Sequence, residues 1–556
     1  DSRHPNNVFV CPQCGSLNEA AKRDTPGRCT SCSAELRAEG PARRGKCACP
    51  SCDRINTFPD KTKGPPRHRL FAIEYHCPSC KTEHKGRFFK APDEEDRAAL
   101  ERIDRDWKTA RSRFVPDDEI PAGDETNRLH RWGYRYYREM FNSRQLLGLE
   151  LSARLIEKVS GPRIKNALAT NLSDLLRYQN MLCRYDSVAL KSLDIFSVHG
   201  FPVGLVQCES NLLGIRTNGK YGCIGSGGWA NIVEKFIKAK SYCDNPFEIK
   251  YYNNKKLTIP ISDEWIGDIP GPDREGTNRV VKLYCKDAGA ADIPPSSLDA
   301  VLTDPPYFGN VQYAELMDFC YVWLRRLVGT GDKTFAKTST RDAQELTGNQ
   351  QMGRGIDHFA QGMSAVFSNM AGALKPGAPL AFTYHHNELS AYAPITIAIL
   401  DAGLTCTASI PCPAEMGASI HINGTGSSII DTVFVCRSTG TVFQKSLADT
   451  KEDIAKLASD DAAKLREGGV TPTPGDLRCV IFGHLARLAI WSLRDRWDNA
   501  IPIRAKIDLV KERLSYFGNW KDIAELVNIE DHYELTPLFA STGPDNGAGY
   551  AETHLK

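Results

Sequence analysis

The sequence predicts an α/β core with zinc ribbons at its N-terminus and helical additions around it, and three observations carry that prediction. Between residues 278 and 437, short β-rich runs alternate with helix-length stretches, the pattern of an α/β sheet. Four Cys-x-x-Cys pairs crowd the first eighty residues. Flanking the β-rich region, apolar residues recur at three- and four-residue spacings, as amphipathic helices require.

The 556 residues are 41% hydrophobic, enough to bury more than one core. Charge nearly cancels, 70 Lys and Arg against 68 Asp and Glu, so any nucleic-acid site is local rather than a property of the whole surface. No run approaches 18 apolar residues and no charged-then-apolar leader opens the chain, which predicts no membrane span and no secretion signal. A cytoplasmic location is the expectation. The first residue is Asp1 rather than Met, which reads as a processed or split product.

Nine of the nineteen cysteines precede residue 81, and the other ten are scattered singly, as metal spacing rather than a disulfide framework. The pairs are Cys11/Cys14, Cys29/Cys32, Cys49/Cys52 and Cys77/Cys80. Two residues between thiolates let a tight turn aim both sulfurs at one ion, and two such turns close a tetrahedral shell. Four pairs therefore predict about two structural zinc ions. Sequential pairing, 11/14 with 29/32 and 49/52 with 77/80, is the simplest assignment, and an interleaved one fits the spacing too. Residues 1–90 hold 17 Lys and Arg against 9 Asp and Glu, and Arg43-Arg44-Gly45-Lys46 and Lys61-Thr62-Lys63 are candidates either for DNA phosphates or for a solvated face.

Residues 91–128 carry 12 acids, 7 bases and three prolines, the composition of an exposed, partly helical linker. From 129 to 277 a helical and mixed segment follows, assigned to DNA recognition or to cofactor; its apolar periodicity runs through Leu146, Leu149, Leu151, Leu155 and Ile156, then Leu168, Leu172, Leu175 and Leu176. The region 278–437 supplies four expected strands, at 280–283, 300–303, 380–384 and 431–435. Residues 438–556 read as helical, broken at Gly468-Gly469, with a tail from 541 rich in turn residues.

At the end of the 300–303 strand stands Asp304-Pro305-Pro306-Tyr307. Ligands of open α/β sheets bind at the carboxyl ends of strands, so this loop is placed for chemistry. An amino group on an aromatic base is a poor nucleophile because its lone pair is delocalised into the ring. Asp304 can accept one of its N–H bonds and the Pro305 carbonyl the other, steering the nitrogen toward tetrahedral geometry in line with an electrophilic methyl. The two prolines stiffen that carbonyl. Tyr307 offers a face on which a base drawn from a duplex can stack.

From Lys286-Asp287-Ala288 into Asp304–Tyr307, and on through Phe308-Gly309-Asn310-Val311-Gln312-Tyr313-Ala314-Glu315 to Arg326, the chain resembles the large zinc-ribbon-containing adenine-specific DNA methylases of prokaryotes. Trp132-Gly133, the Met140–Leu147 stretch, Cys183-Arg184-Tyr185, Gly225–Trp229, Leu374–Gly377, Tyr384-His385-His386 and Pro474–Leu477 extend the likeness over roughly 130–490. The resemblance implies a Rossmann-like methyltransferase core, S-adenosylmethionine as donor, adenine in double-stranded DNA as acceptor, and an association with restriction–modification or phage defence. Asp304, Pro305, Pro306 and Tyr307 carry over as the catalytic motif, and Asp287 as a cofactor-side residue.

One departure stands out: a glycine-rich cofactor loop with a downstream acid is not placed. Gly225 and Gly227, in Cys223-Ile-Gly-Ser-Gly-Gly-Trp229, are the nearest candidates. In the resembled family the glycine motif lies upstream of the zinc ribbons, so the favoured expectation is a core lacking its first motif, completed by an N-terminal methyltransferase segment or another defence subunit, with Gly225–Gly228 as the alternative. Phe308 and Tyr313 are candidates to reach DNA. Arg144 and Arg184 are candidates for phosphate contacts or, equally, salt bridges. His385-His386, after the 380–384 strand, is a candidate for a substrate or phosphate contact or, more simply, a satisfied loop, and Glu315 and Asp318 read as solvated or N-terminal helix charges rather than catalytic groups. A non-catalytic, zinc-ribbon DNA-binding subunit is the alternative function.

Overall fold

The structure is a computed structural model describing residues 7–40, 42–49, 52–80, 86–186, 189–216, 223–252, 255–261, 282–329, 332–414, 428–438 and 450–527. Its N-terminal part is built of small sheets: a hairpin of β1 (Asn7–Val10) and β2 (Leu17–Ala20), a three-stranded sheet of β3 (Ala42–Arg43), β4 (Lys46–Ala48) and β5 (Ile55–Thr57), and a hairpin of β6 (Ile73–His76) and β7 (Arg87–Lys90). Cys11, Cys29 and Leu36 are the buried core of the first ribbon.

The first part of the expected linker is a helix whose Trp107 packs against the helical body. Asp93 caps helix α1 (Glu94–Thr109) through a reciprocal box with Asp96, and α1 buries no side chain. Beyond it the expectation fails, because Phe114, Val115 and Ile120 are buried in the helical body. The cause is long-range: Glu150, itself buried, accepts the backbone N–H groups of Arg113, Phe114 and Val115 at 3.0, 2.9 and 3.3 Å, pinning the strap to the body.

The body packs α2 (Thr126–Arg131), α3 (Ser143–Glu157), α4 (Pro162–Leu176), α5 (Trp229–Asp244) and α6 (Tyr313–Val328). Asn142 and Gln145 box the start of α3, and Pro162 opens α4 at a position where its missing N–H costs nothing. Leu149, Leu172 and Leu175 are fully buried as the periodicity requires, whereas Leu151 and Leu155 are 51% and 68% exposed. Phe319 and Trp323 of α6 enter this core, Phe319 stacking on Phe141 at 5.6 Å. Between α4 and α6 run three more hairpins: β8 (Tyr185–Asp186) with β9 (Lys191–Ser192), β10 (Ile215–Arg216) with β11 (Cys223–Ile224), and β12 (Phe247–Tyr252) with β13 (Lys255–Pro260).

The main sheet contains β14 (Val301–Thr303), β15 (Leu380–Tyr384), β16 (Leu404–Pro413) and β17 (Ile430–Ser438), in the order β14-β15-β17-β16. β14 runs parallel to β15, and β17 is antiparallel to both of its neighbours, so β14, β15 and β16 share one direction. Three of the four expected strands thus form. Of the fourth, Val280 and Val281 lie outside the described residues, and Lys282 and Leu283 belong to no strand, Leu283 being 90% exposed. β16 was not foreseen: Pro411 and Pro413 argue against a strand, but this is a sheet edge, where a missing N–H is tolerated. Helices α7 (Ile356–Ala373), α8 (Ala393–Asp401), α9 (Lys451–Glu467), α10 (Pro474–Leu493), α11 (Ile503–Leu514) and α12 (Trp520–Leu526) join the same core as the sheet. Phe367 of α7 meets Phe382 edge-on at 5.0 Å, and Phe382 stacks on Phe434 at 5.2 Å. The chain is thus mixed α and β; among the described residues no helix is long and apolar enough to cross a membrane.

Two buried polar ties hold elements together. Glu315, 2% exposed, is not a solvated helix charge: it accepts the N–H groups of Asp124, Glu125 and Thr126 at 2.9–3.0 Å and the Asn349 amide at 2.8 Å. Asp318, 1% exposed, likewise accepts from Ser339, Thr340 and Arg341. Glu315→Ala leaves several buried donors without a partner, so a loss of about 3 kcal/mol or more is expected in denaturant melts. An unchanged midpoint would refute this account.

The second tie is His484 of α10, whose ring bonds Asp461 of α9 at 3.0 Å and Ser409 of β16 at 3.3 Å. Burial raises the Asp461 carboxyl, but the His484 and Lys464 contacts outweigh it and leave its pKa below the ordinary value. A depressed folded pKa contributes stability that is complete above the unfolded value of about 3.9 and lost as pH falls through the folded one. Asp461→Asn is therefore expected to cost stability at pH 7 and to narrow the gap to wild type below about pH 4, as read by melts across pH.

Candidate active site and zinc knuckle

In the first ribbon, the Cys11 N–H donates to the Ser16 carbonyl and the Gly15 N–H to the Cys11 carbonyl, both at 2.9 Å. The same two bonds recur around Cys29, through Ala34 and Ser33, and around Cys49, through Arg54 and Asp53. Each turn needs a left-handed residue four places on: Gly15, Ser33 and Asp53 have φ of 75°, 59° and 55°.

The first two turns face each other. The sulfurs of Cys11, Cys14, Cys29 and Cys32 all lie within 4.8 Å of one another, with Cys11 to Cys32 at 3.5 Å and Cys14 to Cys29 at 3.6 Å. A tetrahedral shell with Zn–S bonds of about 2.3 Å separates its sulfurs by about 3.8 Å, so this quartet fits zinc, and the first sequential pairing is the one assembled. The Ser16 hydroxyl, 3.1 Å from the Cys29 sulfur, is foremost among the bonds that bring that thiol down to about 5, readying it as a thiolate ligand.

The second expected quartet, Cys49, Cys52, Cys77 and Cys80, is not gathered, so the described residues assemble one zinc site where the spacing predicts two. Cys77 and Cys80 stand 3.1 Å apart, and Cys49 sits in its own knuckle. Cys52 is exposed and joins no cluster of metal-ligating side chains among the described residues. The reason is that the two knuckles grow from separate small sheets: Cys49 and Cys52 lie between β4 and β5, whereas Cys77 and Cys80 follow β6. Cys-x-x-Cys spacing shapes each turn but does not bring two sheets together, and residues 50–51 and 81–85, beside these cysteines, lie outside the described residues. The basic stretches of the ribbons are partly neutralised: Arg43 pairs with Glu39, and Lys63 with Asp60 at 3.1 Å.

At the other end of the chain's described core, Thr303 pairs with Phe382, which places Asp304 beside Thr383 at the carboxyl ends of β14 and β15. The Thr383 hydroxyl donates to Asp304 Oδ1 and so orients an otherwise exposed carboxylate. Pro305 is buried, anchoring the backbone between carboxylate and ring. Tyr307 is half-buried, its ring 5.2 Å from that of the buried Tyr384, which in turn donates to the Ala391 carbonyl at 2.8 Å. Burial pushes the Tyr307 phenol up, and Asp431 and Asp304 add to the shift, so it stays protonated.

A buried network backs the turn. Gln312 donates to the Gly348 carbonyl and accepts from Asn349 at 2.9 Å, while Asn349 also reaches Glu315. This draws Gly348 so close to the turn that a Cβ there would lie 2.9 Å from the Gly309 nitrogen and 3.0 Å from the Phe308 ring. Thr383, Gln312 and Asn349 were not singled out from sequence, because their part in the turn follows from strand register and long-range hydrogen bonds that residue spacing does not carry.

The other expected residues are dispersed. Phe308 packs on Phe359 at 5.4 Å, whereas Tyr313 is 48% exposed beside the motif. Asp287 caps a short 3-10 turn at Ala288–Ala290, accepting the Gly289 N–H at 2.8 Å, and Asn369 of α7 holds that turn through the Ala288 and Ala291 carbonyls. Gly225 and Gly227 do precede a helix, α5, but they follow β11 of a two-stranded hairpin rather than a strand of the main sheet. Gly227 is pressed against Tyr178 and Ser210. Arg144 takes the salt-bridge alternative, gripping Glu209 with Nε at 2.8 Å, and Arg184 sits just before β8. Burial lowers the pKa of His385, to about 4, and that of His386, and the His385 ring lies 3.4 Å from the Cys479 sulfur. No family model, curated protein sequence or solved structure matches this chain.

Proposed function

We propose that this chain methylates the N6 amino group of adenine in double-stranded DNA, with S-adenosylmethionine as donor and direct transfer after base flipping. The observation that carries this reading is the Asp304–Tyr307 turn at the carboxyl end of a parallel strand pair, with its carboxylate held by Thr383. A base flipped against the Tyr307 face places its amino group between the Asp304 carboxylate and the Pro305 carbonyl, two acceptors for its two N–H bonds. Accepting both localises the nitrogen lone pair for attack on the methyl carbon. The likeness to zinc-ribbon adenine methylases supports DNA as the carrier of that base, and restriction–modification or phage defence as its setting.

Among the described residues the features that support an acceptor role at this end of the sheet have no counterpart for the donor. β14 has a partner on one side only, and no glycine-rich loop follows a main-sheet strand. That observation favours a second reading, a zinc-ribbon DNA-binding subunit whose donor site is completed by another methyltransferase segment. The test is nucleoside mass spectrometry on unmethylated duplex DNA incubated with the chain and S-adenosylmethionine, alongside calorimetry with S-adenosylmethionine alone. N6-methyladenine establishes the enzyme. Absence of both product and donor binding selects the second reading.

A further inference from the structure

The hairpin of β12 and β13 stands apart from both cores. Six register pairs, from Phe247 with Pro260 to Tyr252 with Lys255, join the strands to each other. Every side chain described from Phe247 to Lys250 and from Lys256 to Pro260 is exposed, and none of these residues contributes to a buried cluster among the described residues. Its root is tied to the body by the Phe247 ring, edge-on to Tyr242 at the end of α5 (5.2 Å). A two-stranded hairpin exposed on both faces is marginal in water, so this one is suited to stabilisation by something it grips.

Its chemistry is graded along its length. The three rungs nearest the turn, 250/257, 251/256 and 252/255, each carry one lysine: Lys250, Lys256 and Lys255. The same rungs contribute Tyr251 and Tyr252, and the three rungs at the root hold Glu248 as their one charge. Lys250 and Lys256 make no ion pair among the described residues, unlike Lys235 and Lys238 of α5, which pair with Asp174 and Glu234. A cationic tip on a narrow ribbon matches a polyanion with a groove. The DNA major groove admits a two-stranded ribbon and is about 8.5 Å deep; six residues of strand extend about 20 Å, enough for the tip to lie in the groove while the root stays outside.

We infer that the β12–β13 ribbon is a DNA-docking arm whose Lys250 and Lys256 meet the phosphates of the duplex that presents its base to the Asp304 end. The inference rests on the DNA reading above and assigns the grip to an element separate from the chemistry. The test is fluorescence anisotropy with a fluorescein-labelled duplex of about 30 base pairs, titrated across salt with the full chain, its Lys250→Ala/Lys256→Ala double variant and its Lys250→Arg/Lys256→Arg counterpart. Each phosphate contact contributes a slope of about −0.9 in log affinity against log salt, so the alanine variant should bind about tenfold or more weakly at low salt, with a slope shallower by about 2. The arginine variant should restore both. An alanine variant with wild-type affinity and slope overturns the arm while leaving methyl transfer standing. A wild-type chain that binds no duplex overturns the arm and the DNA substrate together.

Discussion

Asp304→Ala is expected to remove N6-methyladenine formation by a factor of about 100 to 1,000 or more while leaving DNA affinity and thermal stability close to wild type. Loss of one preorganised acceptor in a transition state costs about 3–4 kcal/mol, and Asp304 supplies the one charged acceptor of the proposed pair. Stability should move by no more than about 0.5 kcal/mol, because the carboxylate is exposed and its one hydrogen bond comes from Thr383. Asp304→Asn keeps the shape but removes the charge, and should fall nearly as far. Thr383→Val removes the hydroxyl that orients the carboxylate, so a smaller fall in kcat than Asp304→Ala, with KM for DNA unchanged, marks a positioning role. The comparison uses single-turnover methylation with mass-spectrometric detection; an Asp304→Ala chain as fast as wild type would end the proposal that this turn does chemistry.

Stripping zinc with a strong chelator is expected to unfold residues 7–40 and leave the rest of the chain folded. Cys11, Cys29 and Leu36 are the only buried residues in that ribbon's apolar cluster, and two of the three are proposed ligands, so the metal takes the place of a core. Once the cation leaves, the four sulfurs crowded within 4.8 Å lose what holds their turns together, whereas the helical body and the main sheet have extensive apolar clusters of their own. Hydrogen exchange should show the amides of Cys11, Gly15, Cys29 and Ser33 losing protection on chelation, while α4 and β15 keep theirs. Cys29→Ser should reproduce this without chelator. Protected knuckle amides in a chain holding less than about 0.1 zinc by elemental analysis would contradict the assignment.

Much of this was legible in local spacing. The three- and four-residue periodicity around Leu149 and Leu172 located α3 and α4, because the period of a helix is written in neighbours. The Cys-x-x-Cys spacing of 11/14 and 29/32 located a knuckle whose bonds close within six residues. The placement of Asp304 at a strand end followed from three β-rich residues before two prolines. The misreadings share a different character. The same spacing at Cys49/Cys52 and Cys77/Cys80 predicted a second quartet, yet which knuckles meet depends on how separate small sheets pack, and Cys52 is left exposed. Glu315 looked like a solvated helix charge and is a buried clasp, because its partners at 124–126 and 349 are distant in sequence. Gly225 and Gly227 had the composition of a cofactor loop, yet hairpin pairing put their strand outside the main sheet.

By itself, then, the sequence determined the helical periodicity of α3 and α4, where a zinc knuckle turns and which loop carries a carboxylate, two prolines and a tyrosine. Each of these is set by torsional preference and residue spacing within a few positions of the chain. Only the tertiary structure decided that Thr383 orients Asp304, that Tyr307 leans on Tyr384, that β16 can bear two prolines at a sheet edge, and that a lysine-tipped ribbon stands clear of both cores. Those outcomes depend on which strand pairs with which and which carboxylate is buried, and such pairings are settled by the competition among all the apolar surfaces for the same interior.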